Sequence, residues 1–180
     1  MPWARINSAS GIYKLQNDNG VNGKRGTVRI NKTNSAPDKF TDFLGHYWKV
    51  THGHTTTVCG DSWDNDKKCL NAAYLFMYGA VNWFGQQNNL TIDDTLGVFA
   101  LFFIKHVGLS ASETSSLLDE LIHAIEKEKE SLFAMKSGQR AVVEFLADKP
   151  DALNHLPALI VNHFIAADAD VEIQLTQSIS

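Results

Sequence analysis

The stretch Asp66-Lys67-Lys68-Cys69-Leu70-Asn71-Ala72-Ala73-Tyr74-Leu75-Phe76-Met77-Tyr78-Gly79-Ala80-Val81-Asn82-Trp83-Phe84-Gly85 decides the fold class. Within it Leu70, Ala73, Tyr74, Met77, Ala80, Val81 and Phe84 recur at intervals of three and four residues. That spacing gathers them on one side of a helix with 3.6 residues per turn. The pattern predicts a helix from about residue 66 that stops near Gly85.

Further helices follow downstream. Thr91 with Asp94 three residues later has the form of a capping box, and Leu96 to Ile104 is apolar on every side, which predicts a central, buried helix. Ser110 with Glu113 is a second capping box, ahead of an apolar stripe of Leu118, Leu121, Ile122 and Ile125. The run Glu126-Lys127-Glu128-Lys129-Glu130 interrupts that stripe and reads as a solvated face. Gly138 is read as a stop, Val142, Val143, Phe145 and Leu146 as a short helix ended by Pro150, and Pro157 as a first-turn residue of one more helix. Leu159, Ile160, Phe164 and Ile165 would form its buried side. Val171, Ile173 and Leu175 alternate, so the end of the chain reads as a strand or an extended tail.

Upstream the signals change. Residues 1 to 36 are rich in Asn and Gly, and Gly11 to Leu15 and Thr27 to Ile30 alternate well enough to pair as a hairpin around a glycine-rich loop. Residues 37 to 64 show no sustained period. The expected architecture is therefore mainly α: a bundle of five or six helices with a small N-terminal β-hairpin and loop region. Residues 1–65 form an irregular basic region and residues 66–180 a helical domain, packed as one compact unit.

Composition sets limits on this reading. The chain has 180 residues, 44% of them hydrophobic, and two cysteines, too few for a disulfide framework. Met1-Pro2-Trp3-Ala4-Arg5 opens no apolar leader, and the run from Val98 to Ile104 is far short of the roughly 20 residues that cross a bilayer. A cytoplasmic protein without a membrane span is expected. The formal net charge of −4 conceals an asymmetry, since residues 1–90 sum to +4 and residues 91–180 to −8. Either the basic half meets an anionic partner or the two halves attract each other within one fold.

Residues 96–179 resemble the TerB-like family of compact helical tellurite-resistance domains. The likeness is carried by Leu101 to Glu113, with Gly108 and Glu113 matching the family's turn, and by Ser137 to Asp168. Val107 and Ala169 depart from the paired Asp-Gly turns that the family associates with divalent metal. Of that pair only Asp168 carries over, with Asp170 and Glu172 nearby as further oxygen ligands for a hard cation such as calcium. The resemblance implies a helical scaffold in a stress or defence setting, with no defined reaction.

Two other groupings hold candidate chemistry. His52, His54, Cys59 and Cys69 offer two imidazoles and two thiols, the donor set of a tetrahedral zinc site, and in an extended segment His52 and His54 would point to the same side. Cys59-Gly60-Asp61-Ser62-Trp63 has the look of a cysteine-protease stretch, although Ser62 stands at the nucleophile's place. For partner binding, Lys24, Arg25, Arg29 and Trp48 combine charge with an aromatic surface, which suits an acidic protein patch better than nucleic acid.

The expectation is a regulatory or protein-interaction domain, non-enzymatic, in a bacterial stress, toxin-neutralising or phage-defence setting. A small metal-dependent or thiol hydrolase centred on His52, His54 and Cys59 is the alternative. The predicted burial of Phe99 and Phe103 gives a direct check: Phe103→Ala should cost roughly 3 to 5 kcal/mol in urea denaturation, whereas a loss below about 1 kcal/mol would place Phe103 at the surface.

Overall fold

Asp66 ends an extended residue and turns the chain into a helix, its carboxylate accepting a hydrogen bond from the Cys69 amide at 2.9 Å. In the structure, a computed structural model that describes residues 36–162, this helix is the second of six. In chain order they are α1 (Ala36–Cys59), α2 (Lys67–Gln87), α3 (Ile92–Phe102), α4 (Ala111–Lys127), α5 (Lys129–Leu146) and α6 (155–162). The mainly helical expectation holds, and there is no strand among the described residues. The N-terminal hairpin lies outside them, as does the alternating stretch from Val171 to Leu175.

Helix α2 occupies the centre. Every residue from Ala72 to Met77 is buried, as are Gly79, Ala80 and Val81, so the helix is covered on nearly all sides. The sequence reading assigned that central role to Leu96–Ile104. The structure corrects this: Phe99, Phe102 and Phe103 are inside, but Leu96, Ala100 and Leu101 are only half-buried and Ile104 is 41% exposed. Small residues explain the difference, because a helix built on Ala72, Ala73, Gly79 and Ala80 accepts neighbours at close range on several sides.

The closest of those neighbours is α5. A Cβ added at Gly79 would strike the carbonyl oxygen of Met135, and one added at Gly138 would strike the carbonyl oxygen of Phe76. Each glycine thus faces backbone three residues before the other glycine, and the two helices touch main chain to main chain. Gly138, read from sequence as a stop, is instead a mid-helix contact of an 18-residue helix. The short helix expected at Val142 to Leu146 is the second half of α5.

Helix α1 is the second correction, since residues 37 to 64 carried no readable period. Phe40, Leu44, Tyr47, Thr51 and Thr55 are buried and spaced by four, three, four and four residues. This is a helical stripe whose last two places are held by threonines. Thr55 hides its hydroxyl by donating to the Thr51 carbonyl at 2.8 Å, one turn back. The helical body therefore begins at Ala36, well before residue 66.

Both capping boxes form as expected. Asp94 N donates to Thr91 Oγ1 at 3.1 Å and Ser110 N donates to Glu113 Oε2 at 2.8 Å. Between them α3 runs into one π-helical turn, Phe103–Val107, closed by Gly108 in the left-handed region at φ 86°. That turn seats His106 against Gly45 of α1, where any side chain would overlap the imidazole ring. The Glu126–Glu130 run is exposed, as expected, and also holds the joint: Glu128 is extended between α4 and α5 and accepts from the Ser131 hydroxyl at 2.9 Å. Pro157 lies in the first turn of α6, and Leu159 and Ile160 are buried, as the sequence predicted; Leu156 is buried with them, and Phe164 and Ile165 lie outside the described residues. Among the described residues no helix is long and apolar enough to cross a membrane.

Two glycines with opposite surroundings test this packing. Gly138→Ala should destabilise by roughly 1–3 kcal/mol or more, because backbone cannot move aside as a side chain can. Gly53→Ala, in α1 with nothing within 4 Å of the new methyl, should instead stabilise by up to about 1 kcal/mol. Thermal unfolding of both variants decides the matter by sign.

Candidate functional site

The candidate zinc ligands are distributed by the helical conformation of their segment. His52 and His54 both belong to α1, where residues two apart point to nearly opposite sides, so the shared direction expected of an extended segment is lost. His52 Nε2 lies 3.2 Å from Asp64 Oδ2, whereas His54 Nε2 lies 3.0 Å from Asn154 Oδ1. Cys59 and Cys69 are free thiols. No group of three or more His, Cys, Asp or Glu side chains among the described residues is arranged to hold a metal ion. Asp168 and Asp170 lie outside the described residues, as do Lys24, Arg25 and Arg29.

The surroundings of both thiols disfavour the thiolate form. Cys59 is the last residue of α1, the negative end of the helix dipole, where a thiolate is disfavoured. Burial pushes its pKa up further, and its Sγ reaches the Pro157 carbonyl at 3.8 Å. Burial first, then the nearby Asp66 carboxylate, raises Cys69 to about 11.

Trp48 is half-buried and belongs to an aromatic cluster. Its ring centroid is 5.0 Å from the His52 ring, 6.0 Å from Tyr74 and 6.2 Å from Phe102. On its other side the His52 ring is 5.0 Å from Trp63, whose indole donates to Thr56 Oγ1 at 3.1 Å. His52 is therefore held between two indoles and a carboxylate. This arrangement ties the end of α1 to the single 3₁₀ turn, Trp63–Asn65, that precedes α2.

The second grouping went unread in the sequence. An open groove of about 610 Å³ runs between α5 and α6, and Arg140, Glu144, Lys149, Asn154 and His155 line it beside Phe133. Glu144 accepts from Arg140 Nε at 2.9 Å and from His155 Nε2 at 2.7 Å. His155 first and Arg140 second lower its pKa to about 2, so the carboxylate stays ionised and fixes both donors. Arg140 and Glu144 have the spacing of four that a helix turns into a pair, but a stop at Gly138 followed by a short helix over Val142 to Leu146 gives Arg140 no place in that pairing. His155 is eleven residues further on, beyond a turn.

Alongside the groove α5 leaves large apolar side chains uncovered: Leu132 is 36% exposed, Phe133 58%, Val143 41% and Leu146 41%. Polar lining, an Arg–Glu–His set and an apolar margin make this, among the described residues, a candidate surface for recognising another molecule.

No protein-family model matches the chain, and no curated protein or solved structure does so either. Two of the residues that carry the TerB-like resemblance have local duties here. Gly108 adopts the left-handed conformation that ends the π turn, and Glu113 completes the Ser110 capping box.

The Glu144 network predicts an acid-sensitive increment of stability. A carboxylate whose folded pKa falls from 4.5 to about 2 favours the folded state above its ordinary value and loses that advantage as pH falls through the folded one. The melting temperature of the parent should exceed that of Glu144→Gln at pH 5, and the gap should close as the pH is lowered from about 4.5 to about 2. A gap that widens on acidification would contradict the assignment.

Proposed function

We propose that this chain is a protein-interaction domain of regulatory type that works through a surface, not through a nucleophile. The observation that carries the reading is the uncovered apolar margin of α5, Leu132, Phe133, Val143 and Leu146, beside the groove that contains Arg140, Glu144 and His155. Apolar side chains grouped on one helix at the edge of a polar groove are the usual composition of a recognition surface. An acidic protein patch facing Lys24, Arg25 and Arg29 belongs to the same reading, as does the stress, toxin-neutralising or phage-defence setting that the TerB-like resemblance implies.

A photo-crosslinking residue placed at Val143, with a control at Asp119 on exposed α4, tests this in cells that make the protein. Discrete intermolecular adducts from position 143 and none from 119 are expected. Adducts from neither site, equal adducts from both, or a link confined within one chain would overturn the reading.

A further inference from the structure

The groove between α5 and α6 lies where the chain leaves the helical body. Phe133 of α5 and Asn162, the last residue of α6, both line it. Residues 163–180 follow from that point, and they carry Asp168, Asp170 and Glu172 against no lysine or arginine, a net charge of −3.

The nearby edge of α5 has the opposite sign. Arg140 lines the groove and Lys136 lies one turn before it, both of them exposed. Glu144, the carboxylate next to them, is already engaged by Arg140 Nε and His155 Nε2. Asp148, Lys149 and Asp151 belong to the turn at the far end, where the sum is negative. An acidic segment is therefore drawn to the Lys136–Arg140 stretch and away from the turn.

Apolar surface is present beside these charges, since Phe133 is 58% exposed and Ala158 is exposed opposite it in the groove lining. In the sequence Val171, Ile173 and Leu175 alternate with Asp170, Glu172 and Gln174. An extended chain sends alternate residues to opposite sides. Laid along the groove, one side of such a segment rests on Phe133 and Ala158 while its carboxylates meet Lys136 and Arg140 at the rim. The lengths agree. Phe133 to Arg140 is about 10 Å at the helical rise, and Asp168, six residues beyond Asn162, has about 20 Å of extended chain with which to turn back.

Resting on the reading of this surface as an interaction site, we infer that residues 168–175 dock in the α5–α6 groove of their own chain, with Asp168, Asp170 and Glu172 on Lys136 and Arg140. Exposed ion pairs are individually weak. The covalent link compensates, because a short tether sets an effective concentration on the order of millimolar, at which a segment of millimolar intrinsic Kd is docked about half of the time. A molecule that enters the groove has to displace this segment, whereas Leu132, Val143 and Leu146 stay open beside it. The segment is thus a competitor built into the chain.

The test uses the full chain in a Cys59→Ser background, with a nitroxide spin label on Gln174→Cys and amide signals read by nitrogen-15 NMR. Signals of residues 133–140 and of Ala158 should lose half or more of their intensity, while those of α3 keep theirs. Asp170→Lys with Glu172→Lys, outside the helical body, should reduce that loss at least twofold, and so should raising the salt to about 0.5 M, which screens exposed charges. An equal mixture of spin-labelled chain without nitrogen-15 and nitrogen-15 chain without the label should show no loss, since the contact lies within one chain.

The same loss with the charge-reversed segment, a loss confined to residues 160–162, or a loss in the mixture would overturn the docking. Intermolecular adducts from the photo-crosslinker at Val143 without broadening in the groove would remove the segment and leave the interaction reading standing. Broadening in the groove without such adducts would keep the docked segment and remove the interaction reading.

Discussion

The contact on which the rest of this structure depends is the crossing of α2 and α5 at Gly79 and Gly138. Because each glycine presents bare backbone to a carbonyl of the other helix, the crossing leaves no room for a Cβ on either side. Its consequences reach outward in both directions. With α5 drawn in close, α2 is buried around nearly its whole circumference and can serve as the core on which the other elements pack. The same closeness turns the far side of α5 outward, and that side holds Leu132, Val143, Leu146 and Arg140. One close approach thus creates both the interior of the molecule and its most distinctive surface.

Around this axis the remaining helices are held by different chemistry. Aromatic side chains supply much of it: Tyr47 lies between Phe76 and Phe145, linking α1 to both central helices, and Phe103 meets Tyr74 edge-on at 4.9 Å. Rings carry large apolar areas, and their offset and edge-on pairs add specificity of orientation. Burial also pushes the Tyr47 phenol well above its ordinary pKa, so it stays neutral within this cluster. The His52 group at the end of α1 and the His155 group at the start of α6 are separate, and His54 with Asn154 ties α1 to the turn just before α6. The two histidine sites are tethers between elements before they are anything else. The groove beside His155 differs because its fixed ion set opens to solvent.

A surface role and this architecture are compatible in a specific sense. The Arg140–Glu144–His155 set uses one carboxylate to orient two donors on the groove wall. Polar groups already oriented beside uncovered apolar side chains leave less to be ordered on contact.

Much of the helical order was legible in the residues themselves. The stripe in α2, the capping boxes at Thr91 and Ser110 and the first-turn Pro157 are local signals, set by side chains within one or two turns of each other. Such signals survive in a linear sequence because their partners are close in it. The misread elements share the opposite property. Helix α1 stayed hidden because Thr51 and Thr55 occupy core positions, and the sequence does not show that the Thr55 hydroxyl is taken up by the Thr51 carbonyl one turn back. Gly138 looked like a stop because glycine weakens an isolated helix, whereas here the backbone of Phe76, more than sixty residues away, makes its missing Cβ a requirement. His52 and His54 were assigned to one side because their segment's conformation was unknown, and His155 met Glu144 only after a turn reversed the chain. The sequence by itself determined where helices start and which faces are apolar, since these depend on neighbours in the chain. Only the tertiary structure decided which helix is central, which glycine is a contact and which charges form a site, since each depends on the distance between residues that the chain does not keep together.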